Sequence, residues 1–218
     1  MKSVMEHIPV TVPIGSATLD GDLSIPPAPR GLVLFAHGSG SSRHSPRNQY
    51  VAEFLNDHSL GTLLVDLLTA GEEREDEYNA RLRFDIHLLT DRVLAIADWL
   101  AAQPQAMGHT LGLFGASTGA AAALLAAVRR PQLVKAVVSR GGRPDLAGPQ
   151  ASLVRAPTLL IVGGRDLEVL QMNRDAMALM KCETKLEIVP GATHLFEEPG
   201  TLAKVAKLAT DWFATHLS

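Results

Sequence analysis

Apolar and polar residues alternate along residues 7–14 and 16–25, close to the start of the chain. This alternation is typical of strands that bury one face and expose the other. Gly15 lies between the two segments and suits a tight turn, because glycine adopts backbone angles that other residues avoid. The pattern predicts an antiparallel hairpin at the N-terminal end of the fold.

Farther along the chain the pattern changes to short apolar runs, most of them followed by a stretch with helical spacing. Continuous runs are typical of strands buried on both faces of a parallel sheet, and helical spacing indicates helices that cover the sheet. The predicted strands are 31–36, 61–67, 110–114, 133–138, 157–162 and 185–189. The predicted helices are 46–55, 84–102, 118–129, 168–180 and 202–217.

Strands that alternate with helices predict an α/β fold with a mostly parallel central sheet, helices on both faces and right-handed crossovers. With 218 residues, the chain 1–218 is expected to form a single domain. About 18 residues separate the strand ending near Val138 from the next one, which leaves no room for a helical cap. The acidic run 72–77 is predicted to be a solvated loop without a catalytic role.

Residues 115–119 read Gly-Ala-Ser-Thr-Gly and lie between a predicted strand and an alanine-rich helix. In the G-x-S-x-G nucleophile elbow the serine occupies a sharp strand-to-helix turn, and small flanking residues let strand and helix approach closely. The helix N-terminus adds amide donors and a positive dipole potential for an oxyanion. Ser117 is therefore the predicted nucleophile, with a purely structural serine as the alternative.

A serine nucleophile needs a base and an acid that orients the base, and in this fold the chain order is serine, acid, histidine. Asp166 follows a buried strand directly, and His194 follows the last strand. Ligands bind at the carboxyl ends of strands in such sheets, so both residues are predicted to be catalytic. The alternatives are a helix N-cap for Asp166 and an ordinary loop histidine for His194.

The oxyanion hole of this mechanism uses the amide after the nucleophile and one from the loop after the first central strand. Thr118 and Ser39 supply the matching amides, and His37-Gly38 places flexible backbone at that turn. A metal site through His37 and His44 lacks a carboxylate or cysteine partner at ligand spacing. Neither a metal nor another cofactor is predicted.

Four arginines, Arg43, Arg47, Arg140 and Arg143, lie close to the predicted site. Because the guanidinium fork matches anionic groups, we hypothesise that at least one of them binds a carboxylate or another anionic group on the substrate. The alternatives are solvated surface charge or, for Arg140, a structural pair with a backbone carbonyl or Asp145.

Composition limits the partners. Hydrophobic residues make up 46% and charged residues 20% of the chain, as in ordinary globular proteins, and a net charge of -3 argues against nucleic acid. The single cysteine, Cys182, cannot form an internal disulfide, which favours a cytoplasmic location. Glu6 and Pro9 do not fit a signal peptide, and the apolar runs are shorter than the roughly 18 residues that suggest a membrane span.

With these residues in place, the chain resembles the α/β-hydrolase superfamily and, within it, the dienelactone hydrolase family. The resemblance runs from Leu-Val-Leu-Phe-Ala-His-Gly at 32–38, through the elbow, to Gly-Ala-Thr-His-Leu-Phe-Glu at 191–197. It implies hydrolysis of small esters or lactones by Ser117, Asp166 and His194. The name-giving dienelactone hydrolases have cysteine at the nucleophile position, whereas this chain has serine there and its cysteine elsewhere.

The predicted function is therefore a serine hydrolase that cleaves small carboxylic esters or lactones through an acyl-enzyme intermediate, with a small molecule as its partner. Two alternatives stay open. The same three residues serve thioester, peptide or phosphotriester bonds, and a homologue with this fold can also be a ligand-binding protein with little turnover.

Overall fold

The computed structural model describes residues 5–217 and contains a central sheet of eight strands. The strands are β1 (Glu6–Ile14), β2 (Ala17–Ile25), β3 (Leu32–Ala36), β4 (Gly61–Val65), β5 (Leu111–Ala116), β6 (Val134–Arg140), β7 (Thr158–Gly163) and β8 (Thr184–Val189). Their order across the sheet is β1-β2-β4-β3-β5-β6-β7-β8. The pairs β1–β2 and β2–β4 are antiparallel and the remaining pairs are parallel, which confirms the predicted α/β fold with its N-terminal hairpin.

The described residues contain six α-helices: α1 (Pro46–Asp57), α2 (Ala70–Asn79), α3 (Ile86–Ala101), α4 (Thr118–Arg129), α5 (Leu167–Leu179) and, after the last strand, α6 (Thr201–His216). The same residues contain two short 3₁₀ segments, Leu82–Phe84 and Pro104–Ala106, and a longer one, Pro144–Leu153, that is interrupted at Gly148. Five of the helices match the predicted ones within two residues at each end. The segment Pro144–Leu153 is the helical part of the connection from β6 to β7.

Successive residues of each inner strand point to opposite faces of the sheet, so each face has its own hydrophobic core. Leu34 of β3 belongs to the cluster that is covered by α3 and α4. Val33 and Phe35 belong to the cluster that is covered by α1 and α6. The ring of Phe35 lies 4.7 Å from that of Phe114, and burying each such side chain contributes roughly 1.5–3 kcal/mol. Helices thereby cover both faces of the sheet, and the loops at its strand ends remain accessible to ligands.

The prediction of a solvated loop at 72–77 was wrong, because these residues form part of α2. Thr69 caps this helix: its hydroxyl accepts from the Glu72 N–H, and the Glu72 carboxylate accepts from the Thr69 N–H. This reciprocal capping box stabilises the first turn, where acidic residues also interact favourably with the helix dipole. Glu72 also contacts Arg92 of α3 at 2.6 Å, so the run is tied to the fold.

Within residues 5–217, no helix combines the length and the apolar character that a bilayer crossing requires.

Candidate active site

Ser117 forms the turn between β5 and α4 by itself, with a φ of 50° and a ψ of −122°. Such angles cost a non-glycine residue on the order of 1–3 kcal/mol, so the surroundings must hold them in place. The Ser117 N–H donates to the Arg140 carbonyl at 3.4 Å, and the Ser117 carbonyl accepts from the Arg143 N–H at 3.0 Å. The strained elbow is thus fixed by the end of β6 and the residues that follow it.

The two glycines of the pentapeptide allow the close approach that was expected of them. A Cβ atom at Gly115 would lie 2.4 Å from the Ala120 Cα, and one at Gly119 would lie 2.2 Å from the Ala36 carbonyl oxygen. Either methyl group would push α4 away from the strands beside it. The sequence Gly-x-Ser-x-Gly is therefore required by the backbone path on both sides of the serine.

His194 and Asp166 lie together at the carboxyl end of the sheet, in the loops after β8 and β7. The His194 Nδ1 is 2.7 Å from the Asp166 Oδ2. Asp166 occupies the N-cap position of α5, but its side chain makes no capping hydrogen bond. The Asp166 side chain therefore does not cap α5, and the N-cap alternative is wrong. Within residues 5–217, no hydrogen bond joins the Ser117 hydroxyl to His194, a separation that is common before substrate binds.

The segment 140–143, at the end of β6, connects the serine with the histidine. Arg140 and Arg143 hold the Ser117 backbone, and between them Gly141 lies against the His194 ring, because a Cβ atom at Gly141 would be 3.6 Å from the ring atoms Cε1 and Nδ1. The side chain of Asn173, on α5, donates to the Gly142 carbonyl at 2.9 Å. Ser117 and His194 therefore both contact one short, well-anchored segment.

The loop 37–45 between β3 and α1, here called the β3–α1 loop, comes up to the other side of the serine. A Cβ atom at Gly38 would lie 2.9 Å from the Ser117 Cβ. The Ser39 and Thr118 hydroxyls are 3.0 Å apart, and the Thr118 N–H, at the first position of α4, has no acceptor inside the helix. The structure thus brings the side chains of Ser39 and Thr118 together, and the oxyanion hole formed by their amides stays a prediction.

His37 anchors the β3–α1 loop as a neutral side chain. Its Nδ1 donates to the Gly38 carbonyl at 3.0 Å, and its Nε2 accepts from the Leu67 N–H at 2.9 Å. Burial lowers the pKa of His37, although the Gly38 hydrogen bond and the nearby Asp66 partly offset this effect. Both ring nitrogens are occupied, and the described residues contain no group of three or more His, Cys, Asp or Glu side chains arranged to hold a metal.

An open pocket of about 510 Å³ lies beside this loop. Its lining includes Ser39, Ser41, Ser42 and Arg47 on one side and Glu73 and Arg83 on the other. Burial and, to a smaller degree, the Asp66 carboxylate raise the pKa of Glu73. The lining thus includes Ser39, one of the two residues of the predicted oxyanion hole.

Three of the four arginines have carboxylate partners. Arg43 contacts Asp66 through both its backbone N–H and its guanidinium, and Asp22 at 3.3 Å. Arg143 makes two parallel bonds to Asp145, at 2.9 and 2.8 Å. The remaining pair joins Arg47 to Glu197 at 3.4 Å. Arg140, at the end of β6, has no side-chain hydrogen bond or ion pair within residues 5–217, so it does not pair with Asp145 as one alternative suggested.

Reasoning from the sequence missed two polar residues that support the site. Asp76, only 2% exposed, accepts from the Leu82 and Arg83 amides and pairs with the Arg83 guanidinium in the wall of the pocket. Asn173 is fully buried and holds the Gly142 carbonyl. The Thr-x-x-Glu capping signature at Thr69 would have revealed α2, but no sequence pattern marks Asn173.

The family model described as the dienelactone hydrolase family matches residues 63–217. A crystal structure of dienelactone hydrolase from Anabaena variabilis is 54% identical, covers 98% of this chain and 99% of its own, and superposes with a TM-score of 0.96. A dienelactone hydrolase-like promiscuous phosphotriesterase from metagenomic libraries is 19% identical, with 99% and 100% coverage and a TM-score of 0.77. The second comparison shows a common fold.

Two strains of Mycobacterium tuberculosis contain a relative that is 57% identical over 208 residues. It carries the provisional name phosphoribosyl transferase. The match covers 95% of this chain and 46% of the relative. The chain therefore spans about half the length of the curated relatives it matches.

Proposed function

The chain belongs to the dienelactone hydrolase family and has a hydrolase fold, and on that premise we propose that it is a serine hydrolase of small carboxylic esters or lactones. The observation that carries the proposal is the 2.7 Å contact between His194 Nδ1 and Asp166 Oδ2 beside the strained elbow of Ser117. A helix cap would need only the aspartate, whereas nucleophilic catalysis needs all three groups.

In the proposed mechanism, Asp166 accepts the Nδ1–H of His194, so that Nε2 is the basic nitrogen. Nε2 takes the proton of the Ser117 hydroxyl as the oxygen attacks the ester carbonyl. The carbonyl oxygen becomes an oxyanion, which the Ser39 and Thr118 amides stabilise by hydrogen bonds.

Protonated His194 then donates its proton to the leaving alkoxide, and the acyl group stays on Ser117. A water molecule, deprotonated by His194, attacks the acyl-enzyme, and His194 returns that proton to the Ser117 oxygen as the acid is released. For a lactone, the leaving hydroxyl remains part of the same product. The mechanism uses no cofactor.

The test is hydrolysis of p-nitrophenyl acetate and butyrate, together with labelling by a fluorophosphonate probe. Wild-type protein is expected to hydrolyse the esters and to be labelled, and Ser117→Ala should lose both activities. Ser152→Ala is the matched control, because Ser152 is a surface serine bonded only to the Pro149 carbonyl. Absence of hydrolysis in the wild type, or labelling that survives Ser117→Ala, contradicts the proposal.

The transferase name of the mycobacterial relative refers to a protein of which this chain covers 46%, so we do not extend that activity to this chain. A substrate panel of lactones, aryl esters, thioesters and phosphotriesters separates the remaining hydrolase alternatives. Tight binding of a panel member with no turnover would instead favour a binding protein. We also propose a cytoplasmic location, since Cys182 is a free thiol; cell fractionation tests it.

A further inference from the structure

Within residues 5–217 the central sheet ends in two edge strands, β1 and β8. The Asp66 N–H donates to the Asp20 carbonyl, so the even-numbered residues of β2 face β4 and its odd-numbered residues face β1. The register of β1 against β2 then turns the backbone groups of the odd-numbered β1 residues outward. Pro9 and Pro13 are two of these residues. Because proline has no N–H to donate, β1 is protected against the addition of another strand.

The other edge strand, β8, contains no proline. The Thr158 N–H donates to the Glu183 carbonyl at 2.8 Å, and the Gly164 N–H donates to the Val189 carbonyl at 2.9 Å. Since successive residues of a strand direct their backbone groups to opposite sides, the odd-numbered residues of β8 bond to β7. Three residues therefore direct both backbone groups away from the sheet: Thr184, Leu186 and Ile188.

The side chains of β8 combine opposite charges with an exposed apolar residue. Lys185 and Glu187 share one face of the strand, where the Lys185 Nζ is 2.7 Å from the Glu187 Oε1. On the other face, Leu186 packs against a small core cluster that includes residues of α5, and Ile188 is 40% exposed. A charged edge usually discourages strand addition, unless the added strand carries opposite charges at the matching positions.

A second copy of β8 is such a strand. When two copies pair antiparallel about a two-fold axis at Leu186, Lys185 of each copy lies opposite Glu187 of the other. These are non-hydrogen-bonded positions, at which side chains come closest, and opposite charges there stabilise the pair. An axis at Lys185 or at Glu187 would instead place like charges directly opposite each other, which is destabilising. The order of charges in β8 thus favours one register.

We propose that the chain forms a homodimer in which the two β8 strands pair antiparallel about Leu186 and join the two sheets into one. The contact is isologous, because the same strand is used on both copies, and it therefore closes on itself. The two β1 strands become the outer edges of the joined sheet, where Pro9 and Pro13 oppose further growth. This assignment does not depend on the proposed function.

Sedimentation velocity tests the association. The wild-type protein is expected to sediment with twice the 23.3 kDa mass of one chain. Lys185→Glu places carboxylates opposite each other across the interface and should give a monomer, and Glu187→Lys should do the same through opposed ammonium groups. Lys207→Glu is the matched control, because it changes the charge equally at an exposed position of α6, and it should remain dimeric.

A mixture of the two single variants tests the register. In a mixed dimer the opposed charges again differ in sign, so Lys185→Glu and Glu187→Lys should associate with each other although neither dimerises alone. The double variant Lys185→Glu/Glu187→Lys should dimerise by itself for the same reason. Recovery of the dimer in the mixture also shows that both single variants are folded.

Hydrogen exchange resolved by residue separates pairing at β8 from contact through another surface. The outward amides of Thr184, Leu186 and Ile188 should exchange about tenfold more slowly in the wild type than in Lys185→Glu. The Glu187 amide faces β7 and should be protected in both proteins.

A wild-type protein that stays monomeric at the concentration of the exchange experiment overturns the proposal. A dimer that both charge variants retain, or one in which the three outward amides exchange freely, also overturns it, because the copies would then meet through another surface. Monomeric single variants that fail to associate when mixed contradict the register and overturn the proposal as well.

Discussion

At the scale of single residues, the position of Asp166 combines two demands. It stands where a carboxylate would cap α5, yet its side chain makes no capping bond and contacts His194 at 2.7 Å. A cap is typically worth about 1 kcal/mol to a helix. The fold forgoes that stabilisation, as expected for a residue whose geometry is set by a site rather than by its own helix.

Asp166→Asn tests this assignment. The amide would favour the wrong His194 tautomer, so hydrolysis of p-nitrophenyl butyrate is expected to fall about 10⁴-fold, the loss typical of this substitution in Ser-His-Asp enzymes. Because Asp166 does not cap α5, the thermal midpoint measured by circular dichroism should barely change. Asp175→Asn, farther along α5, is the control and should retain full activity. An Asp166→Asn enzyme with more than a tenth of wild-type activity would disprove the role.

The lowered pKa of His37 gives a prediction about stability. Below its ordinary value of 6.5, the unfolded chain takes up a proton at this residue more readily than the native protein does. The stabilisation that comes from neutral His37 is thus fully present above this pH and is lost as the pH drops below it. Urea unfolding at about pH 7.5 and about pH 5.5 should show a smaller decline for His37→Gln than for wild type. His58→Gln, at an exposed position, is the control and should decline as wild type does. An equal decline in His37→Gln and in wild type would contradict this prediction.

At the scale of elements, α2 shows where composition misleads. A run of acidic residues usually forms a solvated loop, but here Thr69 and Glu72 form a capping box that starts a helix. Near the end of this helix, the Asp76 carboxylate accepts hydrogen bonds from the Leu82 and Arg83 amides. The capping signature was present in the sequence. The buried role of Asp76 was not, because it depends on residues that only the folded turn brings together.

Thr69→Ala removes half of the capping box and should lower the free energy of unfolding by about 1 kcal/mol, measured by urea denaturation. Thr215→Ala, at an exposed position of α6, is the control and should stay within about 0.5 kcal/mol of wild type. Since α2 forms one wall of the pocket, the KM for p-nitrophenyl butyrate is expected to rise in Thr69→Ala. No change in either quantity would show that α2 does not need its cap.

The elbow was the element most fully predictable from the sequence, because local sterics dictate it. Five amino acids fix the turn, and α4 was predicted over the same residues that it occupies, Thr118–Arg129.

Ion pairs between distant residues were not predictable in this way. The Arg143 partner is two residues away along the chain, whereas the Arg47 partner, Glu197, is 150 residues away. Pairing at the longer distance depends on strand order, which apolar periodicity does not encode.

At the scale of the whole molecule, the sheet separates two helical layers with distinct cores. Trp99 packs against the core that contains α3 and α4, and Trp212 packs against the core that contains α1 and α6. The prediction of one domain spanning residues 1–218 requires that both layers unfold together, since inner strands such as β3 contribute to both.

Trp99→Phe and Trp212→Phe provide a direct test of this cooperativity. Each variant retains one tryptophan, so its fluorescence reports on one layer. In each variant, the urea transition followed by fluorescence should coincide with the loss of helix followed by circular dichroism. Separate transitions for the two layers would contradict a single cooperative unit.

The contacts of Arg43 connect the β3–α1 loop to distant parts of the chain. Its guanidinium reaches Asp66 after β4 and the half-exposed Asp22 on β2, so the N-terminal hairpin restrains a loop to which it supplies no reacting group. Dissolved salt screens exposed charges over about 8 Å at physiological ionic strength, and the Asp22 contact is the more accessible of the two. Ionic strength therefore acts, through the contact with Asp22 on β2, on the loop that carries the Ser39 amide, and turnover should respond to salt even for an uncharged ester.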